Sequence, residues 1–273
     1  MAEPTLKAVL LSPERDLGDR PLLVVGPSLG TAATVLWGAT AGLLANDFDV
    51  VAWDLPGHGV SPKASEPFAV ADLASAVVTL VDSIAPGTNF HYAGVSLGGA
   101  TGLQLGVAHG DRVKSLSIQC SGAKIGTPEA WLDRAELVRA QGTPVLIQGS
   151  AERWFAPGFM DRAPELSSHL LHSLRDADPT SYAFCCEALA AYDVRTHLAG
   201  IKVPTQAVAG AADTVVPPSF AEEIAAGITA GGGTANAVTL EGVAHLAPAE
   251  APAHVAELLR SLIGWAETLE VGK

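Results

Sequence analysis

The sequence predicts an α/β fold: a mostly parallel sheet flanked by helices, with an inserted helical lid. Three observations predict it. Apolar runs of strand length alternate with stretches of helical spacing over residues 7–119, and the rhythm resumes from Val203. Those runs are apolar throughout instead of alternating, as in strands buried on both faces by helices. Between about Gly122 and Gly200 the rhythm stops, so residues 123–200 read as a helical lid inserted between two parts of one core, 1–122 and 201–273.

Residues 7–11 form a short apolar run suited to an edge strand, and residues 12–20 a polar turn. Pro21 to Val25 is a buried strand leading into the loop 26–31. A helix follows through Trp37 to about Ala45, then a strand over 48–53 and a turn-rich loop over 54–61. Val70, Leu73, Val77, Leu80, Val81 and Ile84 recur at helical spacing. Phe90 to Ala93 reads as a strand, Gly98 to about Ala108 as a helix of small residues, and Val113 to Gln119 as the next strand. The lid holds helical patches at 129–139 and 181–191, with Pro and Gly interrupting at 142–144 and 156–158. Beyond it come a strand over 203–210, a helix from a capping Ser219 to about Ile228, a glycine link at 231–233 and a short strand over 237–240. A loop over 241–248 and an amphipathic helix over 252–269 close the chain, which has no internal repeat.

The strand–turn–helix around Gly94-Val95-Ser96-Leu97-Gly98 carries the chemistry. A serine at such a turn has a strained backbone and a hydroxyl raised above the sheet edge. The following helix aims N–H groups and its positive dipole end at the place where negative charge would develop. A serine hydroxyl needs a base to take its proton, and the base needs an orienting carboxylate. On such a sheet the expected chain order is Ser, then Asp or Glu, then His. Ser96, Asp213 and His245 supply that order, each just after a strand. Of the eight histidines only His58 and His245 lie in loops after strands, and only His245 follows a candidate aspartate. Asp193 is the alternative carboxylate, but it falls in the lid region. The main-chain N–H groups of Leu97 and Leu29 are the expected donors to an oxyanion.

Composition narrows the partners. A chain of 273 residues that is 48% hydrophobic is not disordered. Its net charge of −13 argues against nucleic acid and anionic membranes as partners. No apolar run approaches the ~20 residues of a membrane span, and residues 1–7 do not read as a secretory signal. Cys120, Cys185 and Cys186 make an odd set without zinc-site spacing, read as buried apolar residues in a reducing cytoplasm. With no metal-ligand cluster and no dinucleotide fingerprint, no metal and no cofactor are expected.

These residues resemble the α/β-hydrolases. The marks are Gly94 to Gly99, Asp54-Leu55-Pro56-Gly57-His58-Gly59-Val60-Ser61, Gly210-Ala211-Ala212-Asp213 and Val243-Ala244-His245. More narrowly, the chain resembles the 3-oxoadipate enol-lactonases. It does so at Ser28-Leu29-Gly30-Thr31 and, in the lid, at Lys124 to Trp131 with Arg134, Glu152 to Phe159, Asp178-Pro179 and Tyr182 to Cys186. It departs at Ala211-Ala212, where a charged residue more usually neighbours the aspartate. The resemblance implies hydrolysis of a five-membered enol-lactone to 3-oxoadipate during aromatic-compound breakdown, with Ser96, Asp213 and His245 as the triad. That substrate is a small anion. In a protein of charge −13 its carboxylate needs a local cation, for which Arg134 and Arg153 are the candidates, with Trp131 and Trp154 as pocket walls. The alternatives are another small-ester, lactone or perhydrolase-type enzyme with the same triad, or a non-catalytic binding protein on the same scaffold.

Overall fold

The computed structural model describes residues 3–12 and 17–271, so residues 13–16 of the expected polar turn lie outside the described residues. Among the described residues seven strands form one sheet in the order β1-β3-β2-β4-β5-β6-β7. They are β1 (Ala8–Leu10), β2 (Leu22–Gly26), β3 (Asp49–Trp53), β4 (Phe90–Val95), β5 (Val113–Gln119), β6 (Thr205–Gly210) and β7 (Ala235–Leu240). Only the edge strand β1 runs antiparallel, pairing Ala8 with Trp53 and Leu10 with Val51. The α/β fold expected from the sequence is the fold observed.

Helices cover both faces because β2, β3 and β4 are buried at every position. The helices before the insertion are α1 (Ala33–Leu44), α2 (Val70–Ile84) and α3 (Leu97–Ala108). The largest fully buried side chains include Trp37, Trp53 and Tyr92. Two of them also tie the sheet to the helices α1 and α3. Trp37 Nε1 donates to Gly26 O at 2.9 Å, and Tyr92 Oη donates to Gly98 O at 2.8 Å.

Between β5 and β6 the described chain is helical. It comprises α4 (Pro128–Gln141), α5 (Ile147–Trp154), α6 (Phe159–Arg162), α7 (Pro164–Asp176) and α8 (Pro179–Ala191), with 3₁₀ turns at Thr143–Leu146 and Arg195–Gly200. Prolines start helices here. Pro128, Pro164 and Pro179 stand in first turns, where the missing N–H has no helical partner to lose. The Thr127 and Asp178 side chains cap α4 and α8 by accepting the Ala130 and Ser181 N–H groups. The chain ends with α9 (Ser219–Ala230), α10 (Ala247–Glu250) and α11 (Pro252–Val271). Ser219 is not the expected cap. Pro218 holds that position in a helical conformation, so Ser219 is already the first helical residue.

The loop after β3 is tied down by Asp54. Its carboxylate accepts Ala33 N at 2.7 Å and Val60 N at 3.0 Å. Within this loop His58 is buried, donates through Nδ1 to Pro56 O at 2.9 Å and stacks on Tyr182 with ring centroids 5.9 Å apart. Burial pushes its pKa down to about 4, against the smaller opposing effects of the Pro56 bond and Asp178. The sign follows directly. The unfolded chain takes up a proton at His58 near pH 6.5 and the folded chain only near pH 4, so folding loses stability as the pH falls through that window. The loss amounts to about 3 kcal/mol at its full extent. Chemical denaturation of the wild type and of His58→Phe should therefore diverge by that amount between pH 7 and pH 4, with the variant less acid-sensitive. Parallel pH profiles would show that His58 is protonated in the folded protein as readily as in the unfolded chain.

Candidate active site

Loops from the carboxyl ends of β2, β4, β6 and β7 meet above the sheet, where ligands bind in folds of this kind. Ser96 stands between β4 and α3 with φ 54° and ψ −114°, a conformation that L-residues rarely adopt. The surroundings over-determine it. Ser96 N donates to Gln119 O at 3.0 Å, and Ser96 O accepts from Ala100 N at 2.8 Å and from Ser121 Oγ at 2.7 Å. Glycines let the turn close. A Cβ on Gly94 would collide with the Gly98 carbonyl, and one on Gly98 would lie 2.5 Å from Pro27 O.

His245 follows β7, and Asp213 follows β6. Gly210 allows the His245 loop to lie against the end of β6, since a Cβ there would sit 2.5 Å from Val243 O. Ala212 N then donates to Val243 O at 2.9 Å, so the small residues at 211–212 join the two loops directly. His245 Nδ1 lies 2.8 Å from Asp213 Oδ2, and both side chains are buried. The other carboxylate oxygen, Oδ1, accepts Val215 N at 2.8 Å and Val216 N at 3.0 Å. A carboxylate held this way can only accept, so Nδ1 carries the proton and Nε2 is left as an acceptor.

Ser96 and His245 line one cavity of about 210 Å³. Leu29, Trp131, Arg134, Arg153 and Trp154 also line it, so the structure gathers these sequence-selected residues at one place. Leu97 does not face the cavity. Its side chain is fully buried in the core, and as the first residue of α3 its N–H has no carbonyl within the helix. Asp193 lies elsewhere: its carboxylate pairs with Arg195 at 2.6 Å and with Lys124 at 3.9 Å.

Two cations share this small space. Arg134 lies over the Trp131 ring, 4.9 Å from its centroid, and beside the buried Tyr182 hydroxyl. Burial, and then the neighbouring Arg134 charge, push the Arg153 pKa below its ordinary value. Among the described residues neither guanidinium is ion-paired to a carboxylate. Tyr182 and Ser150 also line the cavity and escaped selection from the sequence. Tyr182 is marked only among the lid residues that carry the resemblance, and Ser150 carries no pattern that marks it.

The model of the alpha/beta hydrolase family matches residues 22–258. The chain belongs to that family. Among known alpha/beta hydrolases, 3-oxoadipate enol-lactonase 2 of Acinetobacter baylyi is 38% identical over 198 residues, covering 72% of this chain and 73% of the relative. The solved enol-lactonase of Burkholderia xenovorans superposes with a TM-score of 0.88 at 30% identity, covering 95% of this chain and 96% of that one. A pimeloyl-[acyl-carrier protein] methyl ester esterase of Neisseria meningitidis is 30% identical over 189 residues, covering 63% of this chain and 68% of its own length. This chain is thus a hydrolase of the enol-lactonase type, and the substrate question passes to the cavity.

Proposed function

We propose that the protein hydrolyses a small carboxylated lactone, 3-oxoadipate enol-lactone, to 3-oxoadipate through an acyl-enzyme on Ser96. The observation that carries this reading is the pair of unpaired guanidinium groups, Arg134 and Arg153, in the same small cavity as Ser96 and His245. Holding two half-buried cations close together without a carboxylate partner is unfavourable unless an anion joins them. The long-range field of a −13 chain repels anions, so this local charge is what admits one. The names of the two enol-lactonase relatives support the same choice.

The His245–Asp213 pair and the cavity shared by Ser96 and His245 support the following chemistry. His245 Nε2 takes the Ser96 proton as Oγ attacks the lactone carbonyl, and Asp213 stabilises the imidazolium. The N–H groups of Leu97 and Leu29 hold the oxyanion. Collapse breaks the ring C–O bond and expels an enolate oxygen, to which His245 returns the proton. The enol, still attached through the acyl group, tautomerises to the ketone. Water activated by the same imidazole then attacks the acyl-enzyme and frees the second carboxylate of the product. The helices between β5 and β6 act as the lid, carrying the arginines that grip the substrate carboxylate and the tryptophans that wall it in.

Arg134→Ala and Arg153→Ala test the grip. At least one of them should raise KM for the carboxylated lactone by about 10- to 100-fold, the loss expected for a hydrogen bond to a charged group. KM for the corresponding neutral methyl ester should change by less than about threefold in both. If both substrates weaken equally in both variants, the arginines do not read the carboxylate. The methyl ester esterase relative supports the rival reading, a neutral-ester enzyme, which predicts that outcome.

A further inference from the structure

Glu250 closes α10, five residues after His245, and the reaction above makes no use of it. Its part-buried carboxylate accepts main-chain N–H groups from two separate parts of the molecule. Oε1 takes Ala244 N at 3.0 Å and Leu246 N at 3.3 Å, the residues on either side of His245. Oε2 takes Ala156 N at 2.7 Å, two residues beyond Trp154 in the helical insertion. Trp154 lines the cavity next to Arg153, and its carbonyl accepts the His245 N–H at 3.2 Å. The base loop and the insertion thus meet at this carboxylate and at the Trp154 carbonyl. Thr40 Oγ1 fixes α10 from below by donating to Pro248 O at 2.9 Å.

We propose that Glu250 is a positioning residue whose carboxylate holds the His245 loop and the Ala156 segment in one register, so that the seating of the insertion aims the imidazole at Ser96. The inference rests on the catalytic roles given above to Ser96 and His245. Its physical basis is the number of acceptors. A carboxylate can serve both partners at once because it offers two oxygens and no hydrogen. A glutamine of the same shape offers one oxygen and an NH₂ group, so it satisfies one side and opposes the other. The cavity-lining segment that carries Arg153 and Trp154 then loses its fixed relation to the base.

Two variants test this on a neutral activated ester, p-nitrophenyl acetate, which needs neither arginine. Glu250→Gln leaves the side-chain volume nearly unchanged. Ala156→Pro keeps Glu250 and deletes the N–H that Ala156 donates, and Phe155 before it already has the extended conformation (φ −115°, ψ 137°) that a following proline requires. Rates are expressed per Ser96 titrated to completion with a fluorophosphonate, which removes any unfolded fraction from the comparison. Each variant should lower kcat by about 10- to 100-fold, the scale of an ångström-level misplacement of a catalytic group, with KM held within about threefold. A merely structural role would lower the number of titratable sites and leave kcat per site untouched. Wild-type kcat per site in either variant overturns the proposal. A wild-type rate no greater than that of Ser96→Ala would instead remove the catalytic reading on which it depends.

Discussion

Ser96→Ala should abolish covalent labelling by a fluorophosphonate and lower ester and lactone hydrolysis by on the order of 10⁶-fold. The whole acyl route passes through one oxygen, held on a backbone at φ 54°. His245→Ala should cost about as much, and the double variant hardly more, because the two groups act on the same proton transfer. Initial rates with a chromogenic ester, together with intact-mass detection of the phosphonylated protein, measure both effects. Losses that multiply in the double variant would mean that the two residues act on different steps. A Ser96→Ala protein that is still labelled would move the nucleophile elsewhere.

Asp213→Asn should lower kcat by about 10⁴-fold with little change in fold. The reason lies in the partners of the carboxylate. Oδ1 accepts the Val215 and Val216 N–H groups, so an asparagine must put its carbonyl oxygen there. Its NH₂ group then faces His245 Nδ1, the site now 2.8 Å from Oδ2. Two donors cannot face each other, so Nδ1 gives up its proton and Nε2 takes it. The imidazole then presents an N–H to the serine and cannot act as its base. Steady-state kinetics with thermal unfolding as control measure this. A variant retaining more than about a tenth of the wild-type kcat would show that Asp213 orients nothing that matters to the rate.

The core and the candidate triad were legible in the sequence because each rests on a strong local signal. β2 and β3 appear as largely apolar runs in the order the fold needs, and Ser96, Asp213 and His245 each follow one of the strands. The interior of the insertion was less legible. Pro144 falls at an apparent break but stands in the first turn of the 3₁₀ helix Thr143–Leu146, because proline in a first turn and proline in a loop look alike in sequence. Ser219 failed as a cap for the related reason that Pro218 already adopts helical angles. Glu250 was invisible because its partner Ala156 lies 94 residues earlier and contributes only a main-chain N–H, which leaves no trace in side-chain identity. His58 was noticed as a loop histidine, but its burial against Tyr182 depends on a helix whose docking no local pattern announces.

Loss of the ultraviolet absorbance of 3-oxoadipate enol-lactone on adding purified protein tests the central claim most directly. The account predicts rapid loss with the wild type, none above background with Ser96→Ala, and a higher kcat/KM for the lactone than for its neutral methyl ester. A protein labelled at Ser96 by fluorophosphonate that leaves the lactone intact, or prefers the methyl ester, would contradict it.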